Sequence, residues 1–421
     1  MGDVRSGRKV VLLVAEAVTL AHYGRVATLS RVLPPDEYEV IVAADPRYRA
    51  LDEIAEAAFH PLWSIPSAQF ARALDRGAPL YDAATLTRYV EADLALLDAV
   101  RPDLVVGDFR LSLAISAPLR ACTYASIVNA YWSPYAELDY PVPELPFTRI
   151  TGLRIGQALF DAVRPFAFGM HARPFNRVRR RYGLPPLGND LRHTYTWADH
   201  TLYADIPDLV RTRNLPANHR FLGPVFWSTQ TALPGWWADL PRERPVVFLT
   251  LGSSGRAGLL PRVLDALAEL PVTVVAATAG GTAPARLPAN AFAADYLPMD
   301  VATVNCALVI SNGGSLTTYR ALAMGVPVLG LCSNMDQLLN MNAVAALGAG
   351  IALRAGRANA AEIRAAVRAL LDAPRYREAA ERAGQAVRQH DAGREFRAFV
   401  GEVLGDPGAR AAERPRGERT G

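Results

Sequence analysis

Ala307-Leu308-Val309-Ile310-Ser311-Asn312-Gly313-Gly314-Ser315-Leu316-Thr317-Thr318-Tyr319-Arg320-Ala321-Leu322-Ala323-Met324-Gly325-Val326-Pro327 is the stretch that decides the fold. It starts as a short β run over 307–310, bends at two glycines, and continues with helical spacing over 316–324. Gly325 suits the left-handed residue that closes a helix, and Pro327 bars its continuation. The glycines let a ligand approach the backbone. The first N–H groups of the helix face the same space, joined by the hydroxyls of Ser315 and Thr317. Such a turn holds an anion of the phosphate or diphosphate kind; taken alone, an ordinary βα turn fits equally well. Residues 326–331 read as the next strand, and Ser333-Asn334-Met335-Asp336-Gln337 stand at its end. An acid beside a carboxamide there can hydrogen-bond several hydroxyls of one polyol. Read singly, Asp336 is a helix cap and Gln337 a surface residue.

Outward from this stretch, short apolar runs at 10–15, 39–43, 104–107, 246–251 and 272–277 alternate with helical patterns at 24–33 and 89–100. Strands alternating with helices of this length indicate βαβ units and parallel sheets. At about 150 residues per domain, the 421 residues make two to three domains. A Pro/Trp-rich segment around Leu233-Pro234-Gly235-Trp236-Trp237 separates two β/α halves. With 51% hydrophobic and 20% charged residues, the chain has material for large cores, which excludes disorder and fibrous architectures for most of its length. From 405 on, Gly, Pro, Arg and Glu without periodicity read as a disordered tail.

The formal net charge is +4, from 45 Lys+Arg against 41 Asp+Glu, and the arginines are interleaved with acids or apolar residues. That pattern is not a nucleic-acid footprint. Cys122, Cys306 and Cys332 are widely spaced, which argues against a disulfide framework and structural zinc and for a reducing compartment. The first apolar run ends at Glu16 without a processing site and reads as a strand. No run of about 18 apolar residues occurs, so a cytoplasmic protein without a membrane span is expected. The cluster Arg177, Arg179, Arg180 and Arg181 reads as a solvated helix face before it reads as a membrane contact.

The glycine stretch resembles the donor-sugar signature of family-1 glycosyltransferases of the bacterial macrolide or natural-product type, His-Gly-Gly-x-Gly-Thr-x-x-Glu-Ala-Leu-x-x-Gly-Val-Pro followed by Asp-Gln. Val247-Phe248-Leu249-Thr250-Leu251-Gly252-Ser253-Ser254, Asp295-Tyr296-Leu297-Pro298 and Phe221-Leu222-Gly223-Pro224 resemble further segments of that family. The resemblance implies a GT-B fold, two Rossmann-like doubly wound α/β domains facing across a cleft. It implies an acceptor-binding domain over 1–223, a linker over 224–244, a nucleotide-sugar-binding domain over 245–385 and a helix over 386–404 crossing back. It also implies inverting, metal-independent transfer of a hexosyl or deoxyhexosyl group from a UDP- or dTDP-sugar to a hydroxyl of a small-molecule or lipid acceptor. The nucleotide-diphosphate sugar is then a co-substrate, no other cofactor is expected, and the chain works as a monomer or a dimer.

Residue by residue, the family carries donor binding onto Gly252, Ser253, Tyr296, Asn312, Gly313, Gly314, Ser315, Thr317, Asp336 and Gln337. Tyr296 reads as a stacking partner for the nucleobase or as a buried strand-end tyrosine. His22 matches the family's base, an imidazole suited to take a proton from a positioned alcohol. Asp108 matches the acid that orients it; the alternative is an ion pair with Arg110. Asn129, Tyr131 and Trp132 line an acceptor pocket or form a packed loop.

Two positions depart from the family. Asn312 stands where the family has His, and Arg320 where it has Glu. A carboxylate accepts from both hydroxyls of a ribose diol and an arginine cannot. The donor is then a deoxyribonucleotide sugar, or Arg320 or a neighbouring arginine meets the diphosphate. The rival readings are a nucleotide-sugar 2-epimerase-like enzyme and a donor-binding protein with little catalysis.

Overall fold

The structure, a computed structural model, describes residues 8–51, 58–144, 146–252, 257–281 and 284–405. Ser253 and all but the first residue of the tail expected over 405–421 lie outside the described residues. The first sheet consists of β1 (Lys9–Ala15), β2 (Tyr38–Ala44), β3 (Phe59–Pro61), β4 (Leu104–Asp108), β5 (Tyr124–Val128), β6 (His200–Tyr203) and β7 (His219–Phe221). The second consists of β8 (Val246–Thr250), β9 (Thr273–Ala277), β10 (Ala291–Ala294), β11 (Leu308–Ser311), β12 (Val328–Cys332) and β13 (Gly350–Arg354).

Every strand pairing within the two sheets is parallel, in the orders β3-β2-β1-β4-β5-β6-β7 and β10-β9-β8-β11-β12-β13. Both are doubly wound, with the direction of winding reversing between β1 and β4 and between β8 and β11. The inner strands are continuous Val/Leu/Ile runs because helices cover both faces of each sheet; six of the seven residues of β1 are buried. At the first reversal Ala15 pairs with Asp108, and at the second Thr250 pairs with Ser311. Open parallel sheets place their ligands at the carboxyl ends of such a crevice, and here the two crevices face one another.

The expected helices at 24–33 and 89–100 are Leu20–Ser30 and Ala83–Val100. The first therefore begins four residues earlier than expected and carries Gly24 in its interior. A side chain there would meet the indole of Trp227 at under 3 Å, so the glycine serves the approach of the linker. The crossing segment expected over 386–404 is in two pieces, Pro374–Gln389 and Ala392–Leu404, separated at His390 and Asp391. Phe396, Phe399 and Val400 of the second piece are buried in the core of the first lobe with Val11, Val26 and Leu222.

Arg110, fully buried, supports the first crevice from behind. Its Nε donates to Asp93 Oδ1 (2.9 Å), Nη1 lies 3.3 Å from Glu16 Oε2, and Tyr89 donates its phenolic proton to Glu16 Oε1 (2.9 Å). One guanidinium serves two buried acids. Burial pushes the Glu16 carboxyl up to about 7, against the pull of Arg110 and Tyr89. From the ordinary value of 4.5 up to about 7, the folded chain holds a proton that the unfolded chain has released. This group's contribution to stability therefore falls as pH rises through that window. Glu16→Gln is expected to flatten the wild-type decline of Tm between pH 5 and pH 7.5. A variant curve parallel to wild type would contradict the assignment.

Candidate active site

A cleft between the lobes encloses about 1420 Å³, counted to its open mouth. Its walls combine His22, Arg25, Asn129 and Trp132 from the first lobe with Thr250, Gly252, Tyr296, Asn312, Gly314, Ser315, Thr317 and Asp336 from the second. Trp227 and Thr229 of the linker close one side. The two crevices thus open into one space.

His22 lies in the first turn of Leu20–Ser30, not ahead of the helix as its sequence context suggested. Its Nδ1 is 2.7 Å from Asp108 Oδ1, which leaves Nε2 for the cavity that the residue lines. Its ring stacks on Phe109 with centroids 5.0 Å apart and planes 5° apart. Phe109 directly follows Asp108 and has φ +55°, a left-handed conformation that costs a bulky residue energy and marks a locally constrained site. The ion-pair partner of Asp108 is Arg25, not Arg110. Arg25 Nε donates to Oδ2 (2.7 Å) and Nη2 to Oδ1 (2.9 Å), while Nη2 stands 2.9 Å from His22 Nδ1. Burial alone would raise the Asp108 carboxyl, but Arg25 and His22 outweigh it and hold it below the usual aspartate range. Arg25 escaped the sequence reading. His22 and Arg25 are three apart on one helix, and a helix begun at Leu20 puts them on one face.

At the second crevice Gly313 has φ +85°, and a Cβ there would meet Met341 and Cys332. Asn340, buried behind it, donates to Gly313 O (2.8 Å) and Thr318 Oγ1 (3.1 Å) and pins the turn. Gly314 N donates to Asn312 Oδ1 (3.1 Å), so the Asn carboxamide closes the turn. Ser315–Ala323 then starts without a side-chain cap, and its first amides have no intrahelical acceptor. Ser315, Leu316 and Thr317 line the cavity beside Gly314. Tyr296 lines its far end with Ala277, Ala279 and Leu297.

The lobes are joined through two acids. Asp205, fully buried, accepts from Ala130 N (2.5 Å), Asn129 Nδ2 (3.2 Å) and, from the other lobe, the hydroxyl of Tyr319 (2.9 Å). Burial pushes its carboxyl up to about 6, opposed by these donors. Asn129 Oδ1 in turn accepts from Arg25 Nη1 (3.3 Å). Asp336 Oδ1 accepts from Trp132 Nε1 (2.8 Å).

Three expected site residues stand elsewhere. Tyr131 is fully buried behind the wall and does not line the cleft, because its neighbours Asn129 and Trp132 take the two cleft-facing positions of that turn. Gln337 is buried, with its carboxamide oxygen accepting from Ser333 N and Oγ, and it too is off the wall. Arg320 does not reach the cavity; its guanidinium lies 4.4 Å over the ring of Phe226 in the linker. Among the described residues Arg25 is the one arginine on the cavity wall, so the suggested arginine for the diphosphate is not Arg320. Among the described residues no group of three or more His, Cys, Asp or Glu could hold a metal ion.

The family model described as the C-terminal domain of erythromycin biosynthesis protein CIII-like proteins matches residues 261–395. The chain is 50% identical over 379 residues to a PGL/p-HBAD biosynthesis rhamnosyltransferase of Mycobacterium bovis (strain BCG / Pasteur 1173P2), covering 90% of this chain and 84% of that protein. It is 48% identical over 379 residues to a PGL/p-HBAD biosynthesis glycosyltransferase of Mycobacterium tuberculosis (strain ATCC 25177 / H37Ra), covering 90% and 89%. Among solved structures, the spinosyn forosaminyltransferase SpnP superposes with a TM-score of 0.68 at 18% identity, over 95% of this chain and all of that one.

The contact between Asp205 and Tyr319 can be measured. Tyr319→Phe removes one donor from a buried carboxyl, and about 1–3 kcal/mol of stability should be lost. Because the group ionises near 6, the lost donor matters most above that value. The fall in Tm relative to wild type should therefore be larger at pH 8 than at pH 5.

Proposed function

Because the chain belongs to the GT-B-fold, nucleotide-sugar-dependent glycosyltransferases of the bacterial natural-product type, we propose that it transfers a 6-deoxyhexosyl group, of the rhamnosyl kind, from a dTDP-sugar to the hydroxyl of an aromatic, partly apolar acceptor. Movement of a glycosyl group from a nucleotide sugar to an acceptor is its activity, and inversion at the anomeric carbon is part of the proposal. The observation that carries the finer reading is the shared cavity of His22 and the open start of Ser315–Ala323.

In this reading His22 Nε2 takes the proton of the acceptor hydroxyl. The oxygen then bonds to the anomeric carbon from the side opposite the diphosphate, and the bond from that carbon to the diphosphate oxygen breaks. Asp108 keeps the proton of the neutral imidazole on Nδ1 and stabilises the imidazolium that forms. Arg25 keeps Asp108 ionised while it does so. The departing charge is met by the amides and hydroxyls of Ser315 and Thr317 and by the amide of Leu316. Fixed dipoles there need no reorganisation as charge develops. Asp336, oriented by Trp132, accepts from sugar hydroxyls.

Two features support the donor and acceptor classes. Arg320 is occupied by the linker and no carboxylate other than Asp336 lines the cavity among the described residues, so no second carboxylate there accepts from both hydroxyls of a ribose diol. A deoxyribose needs no such acceptor, and a 50% identical relative carries the name rhamnosyltransferase. The wall beside His22 holds Phe70, Leu74, Leu80, Phe109, Trp132 and Tyr195, a surface for aromatic and aliphatic groups.

His22→Ala is expected to lower kcat by about 10²–10⁴-fold, the usual contribution of a positioned base. The thermal shift produced by dTDP should persist. Asp108→Asn should lower kcat with the same persistence, and either variant retaining wild-type turnover would remove the dyad. In a thermal-shift panel dTDP should stabilise the wild type more than UDP or GDP. A larger shift from UDP would overturn the deoxyribonucleotide assignment while leaving the base assignment standing.

A further inference from the structure

The helix Pro146–Arg181, broken at Gly152, covers the first lobe with one side and leaves the other open. Phe160, Phe168, Phe175 and Val178 are buried on its inner side. On its outer side Ile155, Leu159, Val163, Phe166 and Met170 are exposed, Ile155 by 65% and Phe166 by 61%. Their spacing of four, four, three and four confines them to an arc of about 80°, in a stripe about 23 Å long. Arg173 and Arg177 continue the same line toward the C-terminal end, followed by Arg180 and Arg181, all exposed. The Arg173 guanidinium stands 5.5 Å from the centre of the Phe166 ring. The one acid of the helix beyond Gly152, Asp161, lies round the side, accepts from Gln157 and faces Arg164 at 3.9 Å. Monomeric proteins rarely leave a contiguous apolar stripe of this length in water.

The same helix lines a second, smaller cavity next to the cleft. This cavity, lined by His171 and Phe175, shares Leu80 and Tyr195 with the main cavity. Leu80 and Tyr195 therefore stand between the cleft and the inner side of the helix whose outer side carries the stripe.

We propose that this outer face docks the enzyme on an anionic lipid bilayer, with the stripe in the acyl boundary and Arg173, Arg177, Arg180 and Arg181 on lipid phosphates. An amphiphilic acceptor then passes from the bilayer along the helix to His22. The assignment rests on the acceptor class proposed above. Charge selects the occupant. Basic side chains beside an apolar face match the phosphates and acyl chains of one leaflet. A second copy of the chain would offer those arginines only apolar groups and more arginines, since the face bears no carboxylate. Among the described residues no helix is long and apolar enough to cross a membrane, so the contact is with one leaflet.

The test is cosedimentation of the full chain with vesicles of phosphatidylglycerol and phosphatidylcholine (1:1) and of phosphatidylcholine alone, at low and high salt. Wild type should pellet with the anionic vesicles, and salt should release part of it. Phe166→Ser with Val163→Ser should weaken this binding about tenfold. Arg173→Glu with Arg177→Glu should weaken it roughly fivefold per arginine and abolish the preference for the anionic vesicles. The dTDP thermal shift, measured on every variant, reports folding and the donor site. Its failure in wild type would count against the proposed donor and not against docking. The docking proposal is overturned if wild type ignores the vesicles, if it binds phosphatidylcholine equally, or if the variants bind like wild type. It is also overturned if wild type is a dimer that Phe166→Ser dissolves.

Discussion

The buried carboxyl of Asp205 ties the His22 half of the site to the helix that opens at the glycine turn. Asp205 sits under the turn after β5, takes an amide and a carboxamide from its own lobe, and takes the hydroxyl of Tyr319 from the helix that opens at the glycine turn. Through Asn129 the same group connects to Arg25, and through Arg25 to Asp108 and His22. An unbroken series of hydrogen bonds thus runs from the helix that opens at the glycine turn to the imidazole of His22 across the cleft. Buried ionic networks gain little net stability, since desolvation offsets most of the attraction. What they do gain is geometry. Each member has a limited set of partners that satisfy it, and a misplaced lobe would strand several polar groups at once.

Much of the fold was legible because its signals are local. The runs at 10–15, 104–107 and 246–251 have the β-branched, apolar composition of strands covered on both faces, and each became a strand to within one or two residues. The turn at Gly313 was legible because a backbone that bends at φ +85° beneath Met341 admits little else. Residues whose places depend on contacts distant in sequence were not legible. Arg25 is one of many arginines until Asp108, 83 residues away, is placed beside it. Asp205 and Tyr319 are 114 residues apart and belong to no pattern within either segment. Tyr131 and Gln337 sit inside legible motifs, yet the helix and turn phases direct them into the protein, while Trp132 and Asp336 meet in the cleft.

The glycine turn has an electrostatic character of its own. With Asn at 312, the turn has a carboxamide that folds back on Gly314 in place of an imidazole that could carry charge. Among the described residues the one arginine on the wall, Arg25, already serves Asp108. The start of Ser315–Ala323 supplies a dipole worth roughly half a positive charge at that tip, the feature on which the proposed diphosphate site rests. Asn340, which clamps Gly313 and Thr318 from behind, holds those amides in a fixed direction.

The linker explains the second departure from the family pattern. Phe226 and Trp227 are adjacent in sequence and point to opposite lobes. Trp227 presses against Gly24 on the helix that carries His22, and Phe226 lies beneath Arg320 on the helix that opens at the glycine turn. Thr28 adds a hydrogen bond to Phe226 O (3.3 Å). A guanidinium stacks well on an aromatic ring, whereas a carboxylate would be repelled by its negative face. Once the linker places a phenyl ring at this position, arginine is the residue that fits. The carboxylate that would have accepted from a ribose diol is displaced by that packing. The proposed choice of nucleotide thus rests on how the two lobes are tied together, through a residue that lies outside the cavity.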